Sequence, residues 1–205
     1  MSNFIFFFYL ESDNEFINFA LEQGVKLVVI NRKITLPNVV SISVDEVKAA
    51  EMAVSHLVKR NYHKIAFING PEHIQSSIDR LAGYRLALQQ ANLSYEVDYV
   101  VDGSFSLAGG MVAMQSLIEI EPRPDAVFCA NDEMAIGALK AINAAGLRVP
   151  EDIALISFND SEICQFTTPS LTTIRKPIEQ MARLGGETLF QLIDDLEITN
   201  SETEL

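Results

Sequence analysis

The polar residues best suited to bind a ligand each follow a short apolar segment of this sequence. Asn69, Asp102, Asn131 and Asn159 come directly, or two residues, after four such segments. If these segments are parallel strands, their carboxyl ends meet at one edge of a sheet, where ligands bind in sheets of this kind. Amide and carboxylate groups on such a rim are suited to reversible hydrogen bonding with a small molecule.

Arg80 and Phe105 belong to the same rim, and each has two interpretations. Arg80 falls in the first turn of a predicted helix that begins near Ser76 or Ser77, where a cation opposes the helix dipole and needs compensation. Its guanidinium is expected either to hydrogen-bond the hydroxyls or carboxylate of a ligand, or to pair with Asp79 or a neighbouring acid. Phe105 is expected either to stack on the apolar face of a sugar ring or to fold back onto the core.

Motifs for catalysis and for phosphate binding are absent from the sequence. It contains no GxGxxG, no GxxxxGK[ST] and no GxSxG nucleophile elbow. His56, His63 and His73 share no helix face, so their spacing does not favour a metal site or a histidine-based triad. Cys129 and Cys164 have no CxxC spacing and are expected to be reduced, structural thiols. The sequence therefore favours binding over catalysis and predicts neither cofactor nor metal.

The composition is that of a globular protein with a large negative charge. Of 205 residues 48% are hydrophobic, and 15 basic residues stand against 28 acidic ones, a net charge of −13. This charge repels polyphosphate, so the chain alone is not expected to bind DNA or an anionic membrane. The longest apolar run, Phe4–Leu10, is too short to span a bilayer, and the first basic residue is Lys26. We therefore expect a cytoplasmic protein without a signal peptide.

Apolar segments alternate with helix-period segments along the chain, which predicts parallel α/β structure with crossover helices. The alternation breaks after Phe158, where a loop precedes a brief extended segment and a last helix. The predicted strands are Phe4–Phe8, Leu27–Ile30, Val39–Val44, Lys64–Ile68, Tyr99–Val101, Ala126–Cys129 and Ile153–Phe158. The predicted helices include Phe16–Gln23, one after Asp45 that ends at Asn61, one that ends at Asn92, Ala108–Ile120, Asp132–Ala145 and Ile178–Leu196.

Six segments, in chain order, carry recognisable motifs. They read NGP (69–71), DRLAGY (79–84), DGSF (102–105), ANDEMAIG (130–137), VPEDI (149–153) and PSLTTI (169–174). Together they closely resemble the LacI/GalR family of transcriptional regulators. The resemblance extends from Phe4 to about Leu196 and falls on the effector-binding core of that family, not on its helix-turn-helix headpiece.

This resemblance implies a periplasmic-binding-protein-like type I fold, with two parallel-sheet α/β lobes, three crossovers and a small effector in the cleft. The first lobe is expected to be incomplete and to leave Phe4–Phe8 near an unpaired edge, and the C-terminal strands are expected to be missing. The implied divisions are 1–61 with 175–197 for the first lobe, 62–160 for the second, 161–174 for a loop and crossover, and 198–205 for a solvated acidic tail. The crossovers are expected near Asn61–Lys64, Asn159–Ser161 and Leu171–Ile174.

The resemblance also implies a set of ligand-binding residues. Asn131 is expected to cap a helix first and to contact ligand second. At 159 the family usually has a carboxylate that grips effector hydroxyls, whereas this chain has an amide, with Asp160 as the neighbouring alternative. The implied ligand-binding residues are Arg80, Phe105, Asn131, Asn159, Asp160, Ser76 and Asp45.

A homodimer is expected from the same resemblance. The helix Met134–Ala145 and the segment Ser161–Phe166 match the dimer surface of the family, where Met134, Ile163 and Phe166 would otherwise be exposed.

Three functions compete for this sequence. The first is the effector-sensing module of a transcriptional regulator, whose ligand, a sugar or sugar derivative, controls operator binding by a headpiece that this chain lacks. The second is a sugar-binding protein of a transport system with the same fold, which the missing signal peptide and the motifs at 149–152 and 171–173 disfavour. The third is an enzyme on a doubly wound sheet, which the missing phosphate loop and nucleophile–base pair disfavour.

Overall fold

The apolar segments form parallel strands and the segments between them form helices, as the sequence predicts. The computed structural model describes residues 3–7, 13–34, 36, 39–194 and 202–205. Its strands are β1 (Asn3–Phe7), β2 (Lys26–Ile30), β3 (Val39–Ser43), β4 (Ile65–Asn69), β5 (Val100–Asp102), β6 (Ala126–Cys129), β7 (Ala154–Asn159), β8 (Thr172–Arg175) and β9 (Glu202–Glu204). Its α-helices are α1 (Asp13–Glu22), α2 (Glu46–Lys59), α3 (Gln75–Gln90), α4 (Leu107–Glu119), α5 (Asp132–Ala144) and α6 (Ile178–Ile193), with short 3-10 helices at Val97–Tyr99 and Glu162–Phe166.

The chain divides into two units, each with its own sheet. The first unit comprises Met1–Asp45 with Pro177–Leu205, and the second comprises Glu46–Lys176. The strand order is β1-β2-β3-β9 in the first and β5-β4-β6-β7-β8 in the second, and all the pairings are parallel. The predicted α/β architecture with two parallel sheets is confirmed. Within the described ranges, no helix has the length and apolarity needed to cross a membrane.

The first unit buries small apolar clusters on both faces of its sheet. Along β2, Val29 packs with Ile17 of α1, whereas the adjacent Val28 packs with Met181 of α6. This division follows from the alternation of side chains along a strand, which sends neighbouring residues to opposite faces. At one edge of the sheet lies β1, whose neighbour among the described strands is β2, so the edge position that we expected for Phe4–Phe8 is confirmed for Asn3–Phe7.

The prediction of a solvated acidic tail at 198–205 is wrong for its last residues. Glu202–Glu204 forms β9, which pairs with β3 so that Ser41 lies opposite Glu202. Main-chain hydrogen bonds form the pairing whatever the side chains are, and the Leu205 amide also donates to the Ser43 carbonyl at 3.0 Å. A strand after the last helix, which we expected to be missing, is therefore present, while 198–201 lies outside the described residues.

The second unit has one continuous apolar core. Phe67 of β4 and Phe128 of β6 stack with ring centroids 4.7 Å apart, and Tyr84 of α3 lies 5.3 Å from Phe67. The Tyr84 hydroxyl donates to the Ile65 carbonyl at 2.8 Å, so the buried phenol is satisfied. Helix α2 packs against α3, and α4 packs against α5.

The boundaries of the two units differ from the predicted ones, which placed 1–61 in the first lobe. Helix α2 belongs to the second unit because it packs closely on α3, where a Cβ atom on Gly83 would lie only 2.1 Å from the Val47 carbonyl oxygen. The segment 161–174, expected to be loop and crossover, contains a 3-10 helix and most of β8. The predicted crossovers near 61–64, 159–161 and 171–174 lie inside the second unit, since the chain passes between units after Asp45 and after Lys176.

Candidate functional site

The carboxyl ends of the strands in the second unit carry the polar residues that the sequence pointed to. Asn69 ends β4 and lies opposite Asp102, which ends β5. Asn131 follows β6 by two residues, and Asn159 ends β7. Because every pairing in this sheet is parallel, the four side chains lie along the same edge.

Phe105 and Asn131 contact each other at this edge. The Phe105 ring lies over Gly70, where a Cβ atom would come within 2.1 Å of the ring, and the side chain is half-buried at the margin of the core. Asn131 caps α5, as predicted, because its Oδ1 accepts from the Met134 amide at 2.8 Å. Its Nδ2 donates to the Phe105 carbonyl at 3.4 Å. The amide of Asn131 therefore holds the loop that presents the ring.

Arg80 is buried and is held by groups from three other elements. Its Nε lies 2.8 Å from the Glu46 Oε2 atom, while the Lys176 Nζ atom lies 2.7 Å from the Oε1 atom of the same carboxylate. The Arg80 Nη1 atom donates to the Ala130 carbonyl, which follows β6. The guanidinium carbon also lies 4.0 Å from the centroid of the Phe158 ring, a cation–π contact.

The carboxylate partner of Arg80 is thus Glu46, and not Asp79, the acid that the sequence analysis names for a local pair. Asp79 accepts from Gln75 Nε2 at 2.8 Å. Since α3 begins at Gln75, Arg80 lies beyond the first turn, and the expected conflict with the helix dipole does not apply. Glu46 follows Asp45 in the sequence, but no local pattern predicts that it pairs with Arg80, 34 positions away, and with Lys176, 130 positions away.

The charges in this cluster shift the pKa values of its members. Burial alone would raise the pKa of Glu46, but the charges and hydrogen bonds of Arg80 and Lys176 outweigh burial and hold it below its ordinary value. Burial lowers the pKa of Lys176, and the charge of Arg80 acts in the same direction, whereas Glu46 opposes both. Two cations that share one carboxylate therefore keep that carboxylate ionised in a buried place.

Asp132 is a second buried carboxylate that the sequence did not single out for a role. It accepts hydrogen bonds from the hydroxyls of Ser157 and Thr173, the latter at 2.9 Å. It also accepts from both the amide and the hydroxyl of Ser161, each at 2.7 Å. Since Asp132 lies in the first turn of α5, the helix dipole favours its charge. The carboxylate joins β7, the following loop and β8.

The loop after β7 is held in left-handed backbone conformations. Asn159 has a φ of 109° and Asp160 a φ of 59°, and both are half-buried. Asp160 accepts from Arg175 Nε, and its amide donates to Thr173 Oγ1 at 3.2 Å. The Asn159 carbonyl accepts from the Lys176 amide at 3.3 Å. The backbone of this loop is therefore fixed on both sides, by the bond of the Asn159 carbonyl to Lys176 and by the bonds of Asp160 to Arg175 and Thr173.

The two remaining predicted ligand-binding residues lie in different units. Ser76 is half-buried on α3 of the second unit, whereas exposed Asp45 ends the first unit's N-terminal segment. The second unit therefore contains six of the seven predicted residues, while Asp45 belongs to the first.

The predicted dimer surface needs one correction. Met134 is fully buried, because α4 approaches α5 so closely that a Cβ atom on Gly110 would lie 2.3 Å from the Met134 carbonyl oxygen. Ile163 and Phe166, on the 3-10 helix, have 50% and 69% of their surface exposed.

The described part of the chain offers little for redox or metal chemistry. Within it, no group of three or more His, Cys, Asp or Glu side chains is placed to hold a metal ion. Cys129 and Cys164 are free thiols and buried. Burial raises the pKa of both, that of Cys164 to about 11, so neither is a ready nucleophile at neutral pH.

Comparison with known proteins identifies relatives over most of the chain. A family model for a periplasmic binding protein-like domain matches residues 54–205. The chain is 39% identical over 185 residues to the probable HTH-type transcriptional repressor ExuR of Bacillus subtilis, which covers 90% of this chain and 56% of that protein. It is 35% identical to the HTH-type transcriptional regulator CelR of Thermobifida fusca, with 89% and 53% covered. The chain thus spans about half the length of these relatives.

Solved structures give the same result. A regulatory protein of the LacI family from Chloroflexus aggregans matches with a TM-score of 0.91 and 29% identity, over 99% of this chain and 73% of that one. A complex of the transcriptional regulator CelR with cellobiose matches with a TM-score of 0.90 and 29% identity, over 98% and 62%. The resemblance found in the sequence motifs is confirmed, and the chain belongs to the periplasmic binding protein-like domain family as it occurs in LacI-family regulators.

Proposed function

We propose that this chain is the effector-binding and dimerisation module of a LacI-family transcriptional regulator. The observation that carries this proposal is the edge of the second sheet, along which lie an aromatic ring, two amide residues and a buried guanidinium bonded to the Ala130 carbonyl. Such groups bind a hydroxylated small molecule through stacking and hydrogen bonds. Neither a cofactor nor a metal has a part in this function, and the module is not an enzyme.

The effector that we propose is a sugar or a sugar derivative. Phe105 stacks on the apolar face of the ring, while Asn131 and Asn159 exchange hydrogen bonds with its hydroxyls. Of the five donors on the Arg80 guanidinium, Glu46 and the Ala130 carbonyl take one each, and the others serve the ligand. The cellobiose complex of the related CelR supports this class of ligand.

Two further residues of the second unit complete the proposed ligand set, namely Ser76 and Asp160. The hydroxyl of Ser76 and the carboxylate of Asp160 offer additional partners for sugar hydroxyls. Since an amide both donates and accepts, Asn159 also suits a ligand that carries an acceptor such as a carboxylate.

In this proposal the bound effector favours one conformation of the regulator and so controls operator binding in the cytoplasm. Contact with operator DNA is made by a headpiece that the chain does not include. The net charge of −13 agrees with DNA contact by the headpiece and not by this chain, because acidic surfaces repel the phosphates of DNA.

The dimer that we propose uses the exposed Ile163 and Phe166 of the second unit. Apolar side chains this exposed gain from burial against a second copy related by a two-fold axis. Light scattering at tens of micromolar is expected to give twice 22.7 kDa for the wild-type chain and 22.7 kDa for Phe166→Asp. A monomeric wild type contradicts dimerisation of this chain.

The ligand class is tested by thermal shift with a panel of neutral sugars, including cellobiose, and sugar acids, with chromatography to detect turnover. A saturable stabilisation by one member without turnover supports the proposal. Phe105→Ala is expected to weaken this binding by about 1 kcal/mol, the value of an aromatic stacking contact. Phe190→Ala, at an exposed aromatic residue of α6 outside the proposed ligand and dimer sites, is the control and should leave binding unchanged. Turnover, or no shift with any sugar, contradicts the assignment.

A further inference from the structure

The residues that begin and end the second unit are bonded to each other. The chain enters this unit at Glu46 and leaves it after Lys176, so these two residues mark its junctions with the first unit. They are 130 positions apart, yet the Lys176 Nζ atom donates to the Glu46 Oε1 atom at 2.7 Å. The side chain of Lys176 is only 4% exposed and that of Glu46 only 9%. One buried ion pair therefore fastens both junctions to each other.

The same carboxylate also binds Arg80. The second oxygen of Glu46 accepts from the Arg80 Nε atom at 2.8 Å. Arg80 is fixed in turn by the Ala130 carbonyl and by the Phe158 ring. Glu46 thus connects the two junctions to a guanidinium at the edge of the sheet where we place the effector.

Because the cluster is buried, the Glu46 carboxylate depends strongly on both Arg80 and Lys176. A buried charge that loses its partner carries a large desolvation cost. A change in the ion pair of Glu46 with one cation is therefore expected to change the strength of its ion pair with the other. The charges of Arg80 and Lys176 keep the pKa of Glu46 low in spite of its burial, so the carboxylate stays ionised and available to both.

We propose that Glu46 is a positioning residue that couples Arg80 to the two junctions of the chain. An effector that accepts hydrogen bonds from Arg80 changes the strength of the Arg80–Glu46 ion pair. This change in turn alters the strength of the Glu46–Lys176 ion pair. This coupling rests on the proposed function for its trigger, but the ion-pair cluster itself can be tested without any ligand.

The first test is hydrogen exchange, followed by mass spectrometry, of the junction peptides 43–48 and 174–179. Glu46→Gln is expected to accelerate exchange in both peptides at least about tenfold, because the shared charge is lost. The amides of β6 should exchange as in the wild type. The matched control is Arg148→Gln, which removes an exposed ion pair with Asp152 in the same unit and should change neither junction.

If Glu46→Gln does not fold, Glu46→Gln with Lys176→Met replaces the pair by neutral groups and serves for the same measurement. Acceleration at both junctions in either variant supports the proposal. Acceleration at one junction only, equal acceleration in the Arg148→Gln control, or faster exchange throughout β6 overturns it.

The second test addresses the link to Arg80, which lies at neither junction. Arg80→Lys keeps the charge but loses the planar fork that reaches both Glu46 and the Ala130 carbonyl. It is expected to accelerate exchange in both junction peptides, whereas Arg85→Lys on the exposed face of the same helix should not. Wild-type exchange at the junctions in Arg80→Lys overturns the coupling, whatever the sugar panel shows about the effector.

Discussion

Two buried carboxylates in the second unit lie near the same end of the sheet and are stabilised by different kinds of groups. Glu46 shares its two oxygens between the cations of Arg80 and Lys176. Asp132 accepts from neutral hydroxyl and amide groups of Ser157, Ser161 and Thr173.

This difference separates two ways of using a buried charge. A carboxylate held by cations depends on each of them, because the loss of one member leaves an uncompensated charge in a dry place. A carboxylate that accepts from several neutral donors at a helix N-terminus loses less stabilisation for each donor that is removed. The Glu46 cluster joins segments that are distant in the chain, whereas the Asp132 cluster fixes the loop that presents Asn159.

The largest effect is expected from Glu46→Ala. It removes the carboxylate that Arg80 and Lys176 share, and losing one partner of a buried ion pair costs about 3–5 kcal/mol. Urea denaturation, followed by circular dichroism, measures this loss of unfolding free energy. Glu46→Leu combined with Lys176→Met removes both charges of the pair and is expected to recover part of the loss. A cost below about 1 kcal/mol, typical of an exposed ion pair, would contradict the comparison.

Asp132→Asn is expected to have a smaller effect. The Asn side chain keeps one acceptor but turns an NH2 group toward donors, so about 1–3 kcal/mol of unfolding free energy is lost. The same urea titration measures the loss, and hydrogen exchange should be faster in the peptides that contain Ser161 and Thr173. Asp152→Asn, at a half-buried carboxylate of the same unit that pairs with the exposed Arg148, is the control and should cost less. A loss as large as that of Glu46→Ala would remove the distinction between the two clusters.

The helices and strands of the second unit follow from local patterns in the sequence. The strands around Phe67, Phe128 and Ile156 are continuous apolar runs, so their positions were predicted to within one or two residues. The predicted helix ends at Asn61 and Asn92 are confirmed by positive φ values of 65° and 54°. The rim residues followed from the same reasoning, since they come after strand ends.

Features that depend on distant contacts were not predictable in this way. The pairing of Glu46 with Lys176 leaves no trace in the spacing of nearby residues. Met134 is an apolar residue at a position of the family's dimer surface, and only the packing of α4 on α5 shows that it belongs to the core. The strand β9 has an acidic sequence, so its pairing with β3 rests on main-chain bonds that composition does not report.

The Glu46 cluster is also expected to lose its stabilising effect in acid. The pKa of Glu46 is lowered in the folded state by Arg80 and Lys176 against the effect of burial, so its stabilising contribution is complete above the ordinary range of a carboxyl group. That contribution is lost as the pH falls through the folded-state pKa, from about pH 4 downward. Thermal melting in this range should show a steeper decline for the wild type than for Glu46→Gln. Parallel curves would mean that Glu46 does not titrate as the cation pair requires.

The smallest effect is expected from Thr173→Val, which removes one hydroxyl from the Asp132 cluster and keeps the shape of the side chain. Thr173 Oγ1 donates to Asp132 at 2.9 Å and accepts from the Asp160 amide at 3.2 Å. Because Asp132 retains donors from Ser157 and Ser161, the loss should be about 1 kcal/mol, the net value of a typical hydrogen bond. Thr172→Val, the exposed neighbour on β8, is the matched control and should change the urea midpoint little. If Thr173→Val costs as much as Asp132→Asn, the cluster acts as one cooperative unit and does not lose its support in steps.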